Sequence, residues 1–168
     1  MINWQYYPKG RRPSMLAATV VHAFETEADT IDSSKHELSS NEVLKLVEPH
    51  LTQVGFRVEG GVDVEGPVLV PVLFGKNGKT EKSFHADAFH EDEGFVVEVE
   101  AGRAVANNQF LKDIFQACLM HEVFYVAIAV RNVHHDDKDF DKVRRFLEIL
   151  FASGRMKLPL NGILLLGY

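Results

Sequence analysis

The sequence predicts an α/β fold, a mixed central sheet flanked by helices, and three observations predict it. Apolar residues recur at helical spacing in the first third of the chain and again after residue 107. Between Gly55 and Glu100, β-branched residues and glycines replace that period. Late in the chain "VFYVAIAV", residues 123–130, is an uninterrupted apolar run, the composition expected of a strand covered on both faces.

Taken in order, Leu16, Val20, Val21 and Phe24 predict a helix over residues 14–28, with Pro13 near its start, where a missing N–H costs nothing. The polar connector "DTIDSSKHEL" leads to Ser39, which stands three residues before Glu42 as in a capping box. A second helix carrying Val43, Leu44, Val47 and Leu51 follows, and Pro49 is expected to kink or split it. "FRVEGGVDVEG" and "VLVPVLF" read as strands, and the Asn-Gly pair within residues 76–79 predicts a hairpin turn into a strand at 83–89. Gly94 turns the chain into Phe95–Glu100, so these strands are expected to form a meander. From about Asn107 a helix presents Phe110, Ile114, Ala117, Cys118 and His121 on one face. After the strand at 123–130, a helix over 138–152 turns Phe140, Val143, Leu147 and Leu150 inward and stops at Gly154. "GILLLG" reads as a last buried strand. The predicted order is α-α-β-β-β-β-α-β-α-β, an α/β sandwich.

Composition narrows the function classes. The 168 residues, 46% hydrophobic with 12 Phe, suit one domain spanning 1–168 around a single core. A formal charge of −6 argues against a protein that coats nucleic acid by bulk electrostatics. Local basic groups remain at Lys9, Arg11 and Arg12, and at Arg144 and Arg145, which read first as a solvated helix face and second as contacts to a phosphate backbone that would not read bases. The single Cys118 cannot form an internal disulfide, and no Cys/His zinc spacing exists, so a reducing compartment is expected. "KGRRPSMLAATVVHAF" imitates a secretory signal, but His22 and "ETEAD" replace the small-residue cleavage site. No run approaches the roughly 20 apolar residues of a membrane span, so a soluble, cytoplasmic protein is expected.

The candidate chemistry lies in "SFHADAFHEDEGFVVEVEAGR", residues 83–103. Antiparallel pairing across a loop at 90–94 sets Asp87 opposite Glu98 and His85 opposite Glu100, with all four side chains on one side of the sheet. Opposed like charges destabilise a strand pair unless a positive charge sits among them, and an oxygen-only donor set suits a hard cation such as Mg²⁺. The competing reading is a solvated face, with Val97 and Val99 inward and Glu98 and Glu100 in water. Against it, no basic residue occurs between Lys82 and Arg103, whereas exposed strands usually mix Thr, Lys and Arg with their acids.

An Asp in one strand, an acidic pair of the form Glu-x-Glu in the next, then an amphipathic helix and a buried strand resemble the PD-(D/E)xK, or restriction-endonuclease-like, nuclease core. The segment "VVEVEAGRAVANNQFLKDIFQACLMHEVFYVAIAV" and the ending "LPLNGILLLG" are similar to type II restriction enzymes that cut around GATC-containing sequences. The resemblance implies a metal-dependent DNA endonuclease using Mg²⁺, or Mn²⁺ in its place. Asp87 and Glu98 would hold the metal together with the backbone carbonyl of Val99. Glu100 stands where most of the superfamily has lysine and would orient or deprotonate the attacking water. Ala86 replaces the proline of the motif. Arg103 and Lys112 are the nearest cations for charge developing on the phosphate. No insertion for base readout is evident, so the resemblance implies little sequence preference, or targeting by a homodimer or partner protein.

Four other readings are weaker. His85 and Asp87 with His134 or His135 imitate a two-His, one-carboxylate iron site, but such sites sit in jelly-roll sheets rather than among helices. "HHDDKD" reads as a loop in which Asp136 or Asp137 caps the following helix. Glu42 and Glu48 on the second helix could approach the metal. A non-catalytic DNA-binding or protein-interaction domain retaining the fold is the alternative from a different functional class.

Overall fold

The computed structural model describes residues 1–61, 66–102, 104–133 and 137–168. The chain runs β1 (Asn3–Tyr7), α1 (Met15–Thr26), α2 (Ala28–Ile31), α3 (Ser40–Gln53), β2 (Arg57–Val58), β3 (Val68–Phe74), β4 (Thr80–Ala86), β5 (Ala88–His90), β6 (Phe95–Glu100), α4 (Gln109–Leu119), β7 (Tyr125–Val130), α5 (Asp139–Ser153) and β8 (Gly162–Gly167). Six strands form a mixed sheet in the order β1-β8-β7-β6-β5-β2, and β3 and β4 form a separate two-stranded sheet. β6, β7 and β8 are mutually parallel, whereas β1, β5 and β2 join by antiparallel pairing. The predicted α/β class with a mixed sheet flanked by helices is therefore observed. Among the described residues, no helix is long and apolar enough to cross a membrane.

Side-chain alternation along the parallel strands divides the interior into two cores. Val97, Val99, Ala127, Ala129, Leu164 and Leu166 face α1 and α3. Val96, Val126, Ile128, Val130, Ile163 and Leu165 face α4 and α5. Each fully buried Val, Leu or Ile contributes roughly 1.5–3 kcal/mol, so three strands apolar on both faces anchor the sheet.

Several elements differ from expectation. β1, pairing antiparallel with β8 from Asn3↔Gly167 to Tyr7↔Ile163, was not anticipated. Ser14 lies outside α1 as its N-cap, accepting from the Ala17 amide at 3.1 Å, and the predicted single helix breaks after Thr26 before α2. α3 runs unbroken through Pro49, because Pro49 and Lys45 are both exposed and the carbonyl that loses its partner lies on the solvent side. Of "FRVEGGVDVEG", Arg57–Val58 is a strand, and residues 62–65 lie outside the described residues. His121 falls past the end of α4 and is exposed, edge-on to the Phe74 ring at 4.8 Å. α5 is capped at Lys138 without a side-chain bond. Asp137 instead pairs with Lys142 at 2.7 Å, while Asp136 lies outside the described residues.

The expected meander is corrected in one respect that shapes the site. The strand at 83–89 breaks at Asp87: β4 pairs with β3, placing His85 beside Leu69 instead of opposite Glu100, and only β5 pairs with β6. The reason is packing. Val68, Val70 and Ala86 of the hairpin are buried and draw β4 away from the central sheet. At the other end of β5, Gly94 adopts φ +60° and turns the chain tightly enough for its carbonyl to accept the Phe124 and Tyr125 amides at 2.8 and 3.0 Å.

Candidate active site

β6 carries the central residues. Val96, Glu98 and Glu100 alternate onto the α4 face, where neighbouring strands present Val126, Ile128 and Val130. The two acids therefore replace apolar residues on a face covered by a helix, and both are half-buried. This weighs against the solvated-strand reading, since both acids lie on a face that packs against a helix and meet solvent only within a cleft.

Asp87 sits at the bend between β4 and β5. The pairs Ala88↔Val97, Phe89↔Val96 and His90↔Phe95 keep the register the sequence predicts, and they stop one residue short of Asp87 and Glu98. Beyond Ala88 the ladder ends, and the Asp87 Oδ2 accepts from the Val99 amide at 2.7 Å in place of a strand partner. Its backbone carbonyl accepts from the Glu59 amide at 2.8 Å, so the residue is fixed at both ends. α4 supplies the fourth acid. Phe110, Asp113, Ile114 and Ala117 form its buried face, and Asp113 is only 3% exposed.

These groups line a cleft of about 410 Å³. Residues 82–87 form one wall, α4 contributes Gln109, Lys112, Asp113 and Gln116, and residues 98–100 form the floor. Like charges dominate it. Two of them about 4 Å apart repel by roughly 4 kcal/mol at an effective dielectric near 20. Burial pushes Asp87 up to about 6, with Glu59 and Asp113 adding to the rise and the Val99 N–H opposing it. Glu98 is raised well above the usual carboxylate range by burial, then by the charges of Asp87, Asp113 and Glu100, with Lys112 opposing. Glu100 and Asp113 are both raised, chiefly by burial, and share a hydrogen bond that raises Glu100 further and opposes the rise at Asp113. Asp113 Oδ1 also accepts from Gln109 Nε2 at 3.4 Å, while Oδ2 is buried without a hydrogen-bond partner.

No protein-family model matches this chain, and no curated protein matches it.

The donor set fits a hard divalent cation: oxygen ligands only, crowded like charges, and a buried carboxylate oxygen left unpaired. Among the described residues, no group of three or more His, Cys, Asp or Glu side chains is placed so that it could hold a metal ion as it stands. Asp87, Glu98, Val99, Glu100 and Lys112 are brought together as the sequence predicts. Arg103, His134 and His135 lie outside the described residues. Glu42 does not approach the cleft, since it closes the capping box, accepting from the Ser39 amide at 2.8 Å. Nor does Glu48, which accepts from Thr52 Oγ1 at 2.8 Å and lines a separate groove beside Glu59 and Gly61. Arg144 is engaged by Asp141 and Glu148. Sequence reasoning missed Asp113, Gln109, Gln116, Lys82 and Ser40. Asp113 carried a readable signal, because its spacing from Phe110 and Ala117 places it on the inward helix face.

Proposed function

We propose that the protein is a divalent-cation-dependent endonuclease that hydrolyses DNA phosphodiester bonds, built on a restriction-endonuclease-like core and working in the cytoplasm. One observation carries the reading. Asp87, Glu98, Glu100 and Asp113 line one cleft, all raised in pKa by burial and, for Asp87, Glu98 and Glu100, further by neighbouring acids. Buried acids are costly for a fold and cluster where function requires them. The order of elements supports it: an acid entering β5, an acidic pair in antiparallel β6, a helix, then β7 parallel to β6.

In this reading Asp87 and Glu98 hold the cation, with the Val99 carbonyl as a further ligand. Bound there, Mg²⁺ or Mn²⁺ supplies positive charge to the scissile phosphate and acidifies an attacking water. The chain's own residues do the rest. The Val99 amide fixes the Asp87 carboxylate, and Asp113 holds the Glu100 carboxyl, which orients the water and exchanges its proton. Lys112 on α4 and Lys82 on β4 stand on facing walls of the cleft, where a phosphate backbone would run. A homodimer or partner protein would supply sequence targeting.

One feature favours a non-catalytic DNA-binding or interaction domain instead: Glu100 and Asp113 can satisfy each other by sharing a proton. Supercoiled plasmid incubated with Mg²⁺ or Mn²⁺ decides between the two. Nicking that disappears in Asp87→Asn and Glu98→Gln supports the nuclease. Nicking that survives either substitution refutes the site, and no cleavage of any DNA substrate by the folded protein leaves the binding domain.

A further inference from the structure

We propose that the apolar groove between α4 and α5 docks an amphipathic helix with acidic flanks from another protein. It lies along the side of α4 that carries Leu111 and Phe115, not the side that brings Lys112 and Asp113 to the cleft. The proposal therefore does not rest on the nuclease reading.

Three observations carry it. First, the outer surface of this helix layer is apolar where water should be. Phe115 and Leu119 on α4, Phe146 and Ile149 on α5, and Met156 beyond α5 are all exposed, Ile149 by 70%. Such residues are ordinary when scattered singly. Here Phe115, Phe146 and Met156 line one groove, and Leu119 and Ile149 each stand one helical turn from Phe115 and Phe146. α3, which packs on the other face of the sheet, exposes Asn41, Glu42 and Lys45 instead.

Second, the surface is concave. Leu111 and Ile114 of α4, Leu150 of α5, and Leu158 complete a hollow of about 250 Å³. A hollow walled by two helices accepts side chains that project at i, i+3, i+4 and i+7 from a third, whereas a flat bilayer does not fill it.

Third, the rim is basic. Arg145 lies one turn before Ile149, and Arg155 and Lys157 flank Met156 in the chain. All three are exposed, and none has an ion-pair partner among the described residues, whereas Lys142 and Arg144 are paired with Asp137, Asp141 and Glu148. The acids of the two helices are engaged elsewhere: Asp113 lines the cleft, Asp139 is buried, and Asp141 and Glu148 hold Arg144. In a chain of formal charge −6 this rim is locally positive. A second copy would meet it with the same three cations, while carboxylates beside the apolar residues of a foreign helix complement it.

Selection from a displayed library tests this, using helical peptides of roughly four turns with Leu or Phe at i, i+3, i+4 and i+7 and either Glu or Lys at the flanking positions. The immobilised protein is expected to enrich Glu over Lys. By fluorescence anisotropy, the selected peptide should bind less tightly as NaCl is raised, and about tenfold or more less tightly to Ile149→Ser. Arg145→Glu combined with Lys157→Glu should reverse the preference to the Lys-flanked peptide, which a merely structural patch would not do. If Ile149→Ser fails to melt cooperatively, Met156→Ser serves instead. No enrichment, enrichment indifferent to Glu and Lys, or an affinity unchanged in the serine variant overturns the proposal. A concentration-dependent dimer in sedimentation that Ile149→Ser returns to monomer overturns it in favour of a second copy. Cosedimentation with phosphatidylserine vesicles that the same variant abolishes overturns it in favour of a membrane surface.

Discussion

Two glutamates in this molecule illustrate opposite uses of a carboxylate. Glu148 on α5 lies between Lys9 and Arg144, with Arg144 also held by Asp141. These hydrogen bonds and charges keep its carboxyl below the ordinary range. Glu98 on β6 keeps different company: burial and three neighbouring acids drive its carboxyl upward against the one opposing charge of Lys112. An acid whose partners are cations stabilises the fold as it stands, whereas an acid whose partners are acids waits for a cation from outside. The difference separates structural charge from site charge without reference to any relative.

The largest expected effect comes from breaking the cleft. Glu98→Gln or Asp87→Asn should lower the nicking rate by more than about 10²-fold, the scale of losing one contact to transition-state charge. Neither should lower the metal-free melting temperature, since each relieves repulsion. A parallel loss of activity and stability would mean that the acids are structural.

The pH dependence sharpens the contrast. A carboxyl whose folded pKa is raised binds more protons when folded, so it weakens the fold as pH rises above the unfolded pKa. For Asp87, raised from 3.8 to about 6, up to about 3 kcal/mol of metal-free stability should be lost between pH 4 and pH 6. Urea denaturation across that range, with Asp87→Asn as the reference, isolates this group from Asp32, which is lowered to about 2 by its Ser34 bonds and acts below pH 4. Asp87→Asn should flatten the decline, and a decline of equal size in the variant would assign it elsewhere.

The smallest effect is expected at the paired end. Glu148 has a lowered pKa, so its contribution is present at neutral pH and is lost as pH falls through the carboxylate range. Glu148→Gln should lower the melting temperature only slightly, and less at high salt, because the pairs lie at the surface. It should leave nicking unchanged.

The parts of this molecule legible in its sequence are those set by local pattern. The register of β5 against β6 follows from a short loop and strict alternation, and it survives in the structure from Ala88 to His90. The same alternation could not show that β4 departs at Asp87, because the pull comes from Val68 and Val70, which belong to a different strand pair. β1 escaped notice for a related reason: its partner, β8, lies at the other end of the chain. Asp113 was readable from helical spacing, which puts it with Phe110, Ile114 and Ala117 on the inward face of α4, although acids are rarely buried there.

The central claim is that the cleft acids are assembled to take up a divalent cation. Thermal melting of the protein with and without millimolar Mn²⁺ tests it most directly, because an ion that binds only the folded state raises the melting temperature by mass action. The account predicts a rise in the wild type, retained in Glu148→Gln and absent in Asp87→Asn. No rise in the wild type, or a rise that persists in Asp87→Asn, would contradict it.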